Sequence, residues 1–138
     1  METNQTIVDI YSRYLFETEV IDTRADHAMS VDELKDAMLR AQEASYGDGL
    51  DPEIRHPYMW ACKSHYYSSG YNFYNFPYAF GELFAKGVFA QYLQKGAAFV
   101  PDYCRLLRSC GSGTIADVAA SVGIDVRNPD FWRSSLEV

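Results

Sequence analysis

Apolar residues recur at spacings of three and four along nearly the whole chain, and this period restricts the fold more than any other feature. One stripe of an amphipathic helix near the N-terminus contains Ile7, Tyr11 and Tyr14. The same spacing returns with Leu34 and Met38. No segment of any length shows the apolar–polar alternation of a half-buried strand. The sequence therefore predicts an all-α fold.

Capping residues, glycines and prolines predict where the helices begin and end. Ser30 and Glu33 form a capping box before a helix that Gly47 can end. Thr6, with Asp9 three residues later, is predicted to cap the first helix in the same way. Later helices are predicted to begin at Pro101, Thr114 and Asn128 and to end at Gly96, Gly111 and Gly123.

The helix predicted between about Tyr78 and Gly96 contains two further glycines, Gly81 and Gly87. Glycine inside a helix costs about 1 kcal/mol relative to alanine. We therefore expect close packing against a neighbouring helix at these two positions.

Length and composition fit one soluble domain. The chain has 138 residues, of which 48% are hydrophobic and 22% charged, enough for a single core. No run of about 18 apolar residues could span a membrane, and no signal peptide is apparent. The three cysteines, Cys62, Cys104 and Cys110, lack framework spacing and suggest free thiols in a reducing compartment. We predict a single helical domain, residues 1–138, located in the cytoplasm.

The net charge of −7 makes nucleic acid an unsuitable partner, because a phosphate backbone attracts clusters of lysine and arginine. The sequence also gives little indication of a metal site. None of His27, His56 and His65 stands four residues from another, so the chain has no HExxH motif. Cys62 and His65 form half of a zinc site without a second half, whereas structural zinc takes four ligands.

Both ends of the chain fall on predicted helices. The first begins within a few residues of Met1, and the last has barely entered a second turn when the chain stops at Val138. This arrangement leads us to expect a piece of a larger protein.

The segment "HYYSSGYNFYNFPYAFG", residues 65–81, holds five of the eleven tyrosines. At helical spacing, Tyr71, Tyr74 and Tyr78 fall on one side, with the phenylalanines opposite. A buried tyrosine hydroxyl needs a hydrogen-bond partner, so this side predicts a polar cleft or a surface. Pro77 places the helix start near residues 75–77. Two interpretations stay open, a face that contacts a ligand and an ordinary aromatic core.

The stretch "HPYMWACKSHYYSSGYNFYNFPYAFGELFAKG" resembles the C-terminal part of the oligoendopeptidase F and thimet oligopeptidase-like zinc metallopeptidases. The flanking "NQTIVDIYSRYLFE", "LKDAMLRAQEASYGDGLDP" and "FVPDYCRLLRSCGSGTIADVAASVGIDVRNPDFWRSSL" resemble that family in the expected order, so the resemblance covers nearly the whole chain. It implies the multi-helix C-terminal portion of a metallopeptidase catalytic domain that hydrolyses oligopeptides.

The resemblance also implies roles for the aromatic segment. His65, Tyr71 and Tyr78 would take the catalytic positions that hydrogen-bond substrate carbonyls and the developing oxyanion. The substrate-binding candidates, some of which could occupy those places instead, are Tyr74, Tyr67 and Tyr66.

Zinc in that family is held by HExxH and a downstream glutamate, all upstream of the matched region and absent from this chain. The resemblance therefore implies two partners, an oligopeptide substrate and an N-terminal portion that bears HExxH. We expect no zinc in this chain and no peptidase activity from it alone, since the metal supplies the activated water.

A rival hypothesis is a free-standing helical module for peptide binding or dimerisation. A piece of a larger helical body exposes apolar surface, and such surface tends to associate. We expect a homo-oligomer under either the fragment or the dimerisation hypothesis.

Overall fold

The structure is a computed structural model that describes residues 3–138, apart from the side chain of Asn4. Helices and turns make up this part of the chain, which contains no strand. The α-helices are α1 Thr3–Thr23, α2 Val31–Tyr46, α3 Phe76–Lys95, α4 Val100–Ser109, α5 Ile115–Ala120 and α6 Pro129–Leu136. The all-α prediction is confirmed.

Short 3₁₀ turns connect α2 to α3, and one more precedes α4. They are Gly47–Gly49, Pro52–Ile54, Met59–Cys62, Ser64–Tyr67 and Gly96–Phe99. Short 3₁₀ turns are frequent as connectors between helices. They carry part of the aromatic segment on the way into α3.

The predicted ends of α2 are confirmed. The Ser30 hydroxyl accepts a hydrogen bond from the Glu33 backbone N–H at 3.3 Å. The Glu33 carboxylate accepts one from the Ser30 N–H at 2.7 Å, which completes the capping box. At the other end, Gly47 adopts a φ of 54° and donates its N–H to the Glu43 carbonyl. The left-handed conformation favours glycine at this position.

The predicted cap of the first helix is wrong, because α1 already begins at Thr3 and Thr6 lies within it. Asp9 pairs instead with Arg13, one turn further on. The later caps are confirmed: the side chains of Thr114 and Asn128 accept hydrogen bonds from backbone N–H groups at the starts of α5 and α6.

Contacts divide the chain into two compact units, one up to Ala79 and one from Phe80 onward, with the boundary inside α3. The prediction of a single domain stays a prediction. In the first unit, α1 and α2 form a core with the connecting turns. Its buried residues are Phe16, Ala37, Met38 and Ala41, against which Leu15, Val20, Met29, Leu34, Met59, Trp60 and Tyr66 pack.

The second unit has a core of its own. It consists of Val88, Phe99, Leu106, Ala119, Val122, Ile124 and Phe131. Close packing is confirmed at Gly87, where an added Cβ would lie 2.5 Å from the Phe131 ring and 2.6 Å from Ser135 Oγ. The same prediction is wrong for Gly81, since an added Cβ there meets no atom within 4 Å.

No described helix combines the length and the apolar character needed to cross a membrane. The cysteines Cys62, Cys104 and Cys110 are free thiols.

Candidate functional site

Four of the predicted site residues lie together in the first unit, and we call them the tyrosine–histidine cluster: His65, Tyr71, Tyr74 and Tyr78. The His65 ring stacks on Tyr74 at 5.8 Å between centroids and meets Tyr78 edge-on at 6.0 Å. Tyr74 also contacts Tyr71 at 4.7 Å and Tyr78 at 6.4 Å. The structure thus brings together all three predicted catalytic residues and one predicted substrate-binding residue.

Successive tight turns produce this grouping. The N–H of Tyr71 donates to the Ser68 carbonyl, the N–H of Tyr74 to the Tyr71 carbonyl, and the N–H of Tyr78 to the Asn75 carbonyl. Each turn brings the next tyrosine back towards the previous one. The last lies in the first turn of α3, as predicted from the proline at position 77.

The side chains of the cluster are partly exposed at the surface. Tyr71, Tyr74 and Tyr78 are 49%, 42% and 48% exposed, and His65 is half-buried. Within the described part of the chain, none of these four side chains forms a hydrogen bond to another protein group. A tyrosine hydroxyl both donates and accepts, so the cluster offers several unused polar groups on one aromatic surface.

Helix α1 anchors the segment that carries the cluster through Phe73. Phe73 has a φ of 55°, and no other described non-glycine residue has a positive φ. Its N–H donates to Glu17 Oε1 at 2.7 Å, and its ring contacts Tyr14 at 5.8 Å between centroids. Glu17 is buried. A strained conformation of this kind persists where surrounding contacts enforce it, often at functional sites.

Arg13 provides a second anchor from the same face of α1. Its Nη1 donates to Asn75 Oδ1 at 2.9 Å, and its Nη2 pairs with Asp9. Asn75 is buried, being 3% exposed. These polar contacts tie both ends of the turn 73–75 to α1.

The two remaining predicted residues, Tyr66 and Tyr67, lie outside the cluster. Tyr66 packs edge-on against Phe16 at 5.3 Å and donates its hydroxyl to the Arg13 carbonyl at 3.5 Å. Burial raises the pKa of Tyr66 well above its ordinary value, so the phenol stays neutral. Tyr67 is 63% exposed, and its hydroxyl donates to the Ala61 carbonyl.

A cleft of about 300 Å³ lies beside the same segment, between α1 and residues 73–79. We call it the α1 cleft. Its lining is Ile7, Ile10, Tyr11, Tyr14, Glu17, Phe73, Asn75, Phe76 and Ala79. The Asn75 amide nitrogen is buried without a hydrogen-bond partner in the described structure.

In residues 3–138, no three His, Cys, Asp or Glu side chains lie close enough to hold a metal ion. His27 Nε2 hydrogen-bonds Glu33 Oε1 at 2.8 Å, and His56 Nδ1 accepts a hydrogen bond from the Tyr58 N–H. Cys62 Sγ donates to the Met59 carbonyl.

Sequence reasoning missed Arg13, Glu17 and Asn75. A signal was present, because Asp9, Arg13 and Glu17 follow one another at a spacing of four and share a face of α1.

The fold and the cluster define an all-α protein with an exposed tyrosine–histidine surface anchored on its first helix. No protein-family model, curated protein or solved structure matches the chain.

Proposed function

We propose that this chain is the C-terminal part of a cytoplasmic zinc metalloendopeptidase that hydrolyses oligopeptides. In this proposal the tyrosine–histidine cluster forms one wall of the substrate site. The resemblance of the sequence to oligoendopeptidase F-like enzymes suggests the reaction. The unpaired, half-exposed side chains of the cluster are the observation that carries the proposal.

Tyrosine hydroxyls suit the recognition of a peptide backbone. Tyr71, Tyr74 and Tyr78 can each donate an O–H to a carbonyl oxygen of the substrate. A donor aimed at the scissile carbonyl binds more tightly as that oxygen gains negative charge, which lowers the barrier to hydrolysis. The aromatic contacts among the rings restrict the positions that the hydroxyls can take.

His65 complements the tyrosines. Its ring rests on Tyr74 and against the edge of Tyr78, which orients the imidazole. An imidazole offers a donor and an acceptor, and its ordinary pKa lets it change charge near neutral pH. In the proposed site His65 hydrogen-bonds a second substrate carbonyl.

The metal belongs to the other part of the proposed enzyme. Zinc bound by an HExxH-bearing N-terminal portion supplies the activated water and polarises the carbonyl. The residues of this chain contribute binding and orientation only. The isolated chain is therefore proposed to be inactive.

The test measures cleavage of a quenched fluorescent oligopeptide by this chain, by a separately expressed HExxH-bearing portion, and by their mixture. The proposal expects chelator-sensitive cleavage only in the mixture. Removal of one oxyanion donor costs on the order of 10²-fold in kcat, so Tyr78→Phe or Tyr71→Phe is expected to show such a loss. Tyr58→Phe, at a similarly exposed tyrosine outside the cluster, is the control.

Two results would overturn the proposal. Zinc-dependent cleavage by this chain alone would contradict its assigned role. A mixture that cleaves equally well with wild type, Tyr71→Phe and Tyr78→Phe would remove the cluster from the reaction.

A dimerisation module is the second candidate, and the second unit carries the observation that favours it. Phe89 and Leu93 stand four residues apart on α3 and are 52% and 57% exposed, so they form an exposed apolar pair on one side of that helix. Sedimentation of wild type and of Phe89→Ser with Leu93→Ser tests it. A dimer in the wild type that the double variant abolishes would support this function.

A further inference from the structure

We propose that the α1 cleft binds a large uncharged side chain of the peptide ligand, and that the Asn75 amide donates a hydrogen bond to a carbonyl beside it. This inference rests on the proposed function in one respect, that the ligand is a peptide.

The walls of the cleft have the character of a ligand pocket. Such pockets are concave, start at about 300 Å³, and combine apolar walls with a few polar groups. The volume here is about 300 Å³, and most of the lining is apolar. Tyr11, Tyr14 and Phe76 contribute rings that are each about half-exposed.

The unpartnered amide nitrogen of Asn75, a residue of the lining, indicates a hydrogen-bond acceptor in the ligand. Arg13 donates to Asn75 Oδ1, which fixes the orientation of the amide and leaves its nitrogen without a partner. A buried unpaired donor is costly, so a ligand that brings an acceptor oxygen gains by satisfying it. The neighbouring Glu17 carboxylate disfavours an anion, and a neutral peptide carbonyl is the better acceptor.

The position of the cleft links it to the cluster. Tyr74 belongs to the cluster, whereas the residues on either side of it, Phe73 and Asn75, line the cleft. Consecutive Cα atoms are about 3.8 Å apart, so both features lie on the same short segment. An extended peptide advances about 3.3–3.6 Å per residue. A ligand of a few residues can therefore contact both.

The test uses N-acetylated, C-amidated pentapeptides Ala-Ala-X-Ala-Ala, with X as Phe, Leu, Ala or Glu, titrated into the full chain by calorimetry. The proposal expects the Phe and Leu peptides to bind about tenfold or more tightly than the Ala peptide. The Glu peptide is expected to bind most weakly. Equal affinity for all four peptides would overturn the inference.

Two variants test whether the α1 cleft and the Asn75 amide determine how the peptides bind. Ala79→Leu fills the cleft and is expected to remove the advantage of Phe and Leu while leaving the Ala peptide unchanged; Ala44→Leu, at an exposed position of α2, is the control. Asn75→Asp keeps an acceptor for Arg13 but replaces the free donor, so all peptides should bind about tenfold more weakly. Circular dichroism verifies that both variants fold.

The outcomes separate this inference from the proposed function. Tyr78→Phe should weaken all four peptides alike, because it removes a contact to the backbone. If Tyr78→Phe has that effect while Ala79→Leu leaves the Phe preference intact, the cleft inference fails and the proposed function stands. If Ala79→Leu dissociates a dimer in sedimentation and peptide affinity is unchanged, a second copy occupies the cleft and the inference is overturned.

Discussion

At the scale of single residues, the site depends on one strained backbone position. Phe73 holds a left-handed conformation that costs a non-glycine residue about 1–2 kcal/mol. The Glu17 carboxylate and the Tyr14 ring enforce it. Because Phe73 directly precedes Tyr74, its conformation sets the direction of the backbone that carries Tyr74.

Glu17→Ala is expected to destabilise the protein by about 1–3 kcal/mol, since it leaves the Phe73 N–H without its acceptor. Glu17→Gln keeps a carbonyl oxygen at the same place and should lose less than half of that. Denaturant unfolding followed by circular dichroism measures both. Equal losses in the two variants would show that the hydrogen bond to Phe73 does not matter.

The sequence predicts the members of the cluster but not its anchors. Tyr71, Tyr74 and Tyr78 follow from spacing and from a proline that begins α3. The positive φ of Phe73 does not follow, because phenylalanine has no intrinsic preference for it and a distant carboxylate enforces it. Such long-range polar contacts leave no periodic signal in a sequence.

At the scale of elements, α3 shows how much local rules predict. Its start at Phe76 and its end before Gly96 follow from proline and glycine. Local rules do not predict which of its two inner glycines is required for close packing, because that depends on the helix packed against each position. Only Gly87 faces Phe131 and Ser135 of α6.

A matched pair of substitutions tests this difference. Gly87→Ala forces a Cβ into α6 and should destabilise by about 1–3 kcal/mol, reduced by the better helix propensity of alanine. Gly81→Ala meets open space and should stabilise by up to about 1 kcal/mol. Changes in the free energy of unfolding, relative to wild type, that have the same sign in both variants would contradict the packing.

The capping box of α2 predicts an acid-dependent stability. The Ser30 backbone N–H, then the Ser30 hydroxyl and His27, lower the pKa of Glu33 from 4.5 to about 2. Because the folded state lowers the pKa of Glu33, the ionised carboxylate stabilises the fold at pH values above about 4.5. This contribution fades as the pH falls from about 4.5 towards about 2. The melting temperature of wild type should thus exceed that of Glu33→Gln at pH 6, and the gap should close near pH 2. A difference in melting temperature that stays the same at every pH would show that the charge of Glu33 does not stabilise the cap.

At the scale of the whole molecule, charge is divided unevenly between the two units. Residues up to Ala79 contain 13 acidic and 6 basic side chains, whereas those from Phe80 onward contain 6 of each. The net charge of −7 therefore belongs to the unit that carries the cluster and the cleft. A surface of this sign attracts cationic ligands at low salt.

The all-α class was accessible from the sequence because apolar spacings of three and four recur along the chain and because capping residues, prolines and glycines mark most of the helix ends. The division into two units was not, because the boundary at Ala79 and Phe80 falls inside α3, where no linker composition marks it. Sequence patterns report local conformation more directly than the grouping of contacts.

The central claim is that cluster hydroxyls bind a peptide backbone. Calorimetric titration of acetyl-Ala-Ala-Phe-Ala-Ala-amide into wild type, Tyr74→Phe with Tyr78→Phe, and the Tyr58→Phe control tests it most directly. Each lost hydrogen bond is worth about 0.5–1.5 kcal/mol, so the double variant should bind roughly tenfold more weakly while the control binds like wild type. Equal affinity in all three proteins would contradict the claim.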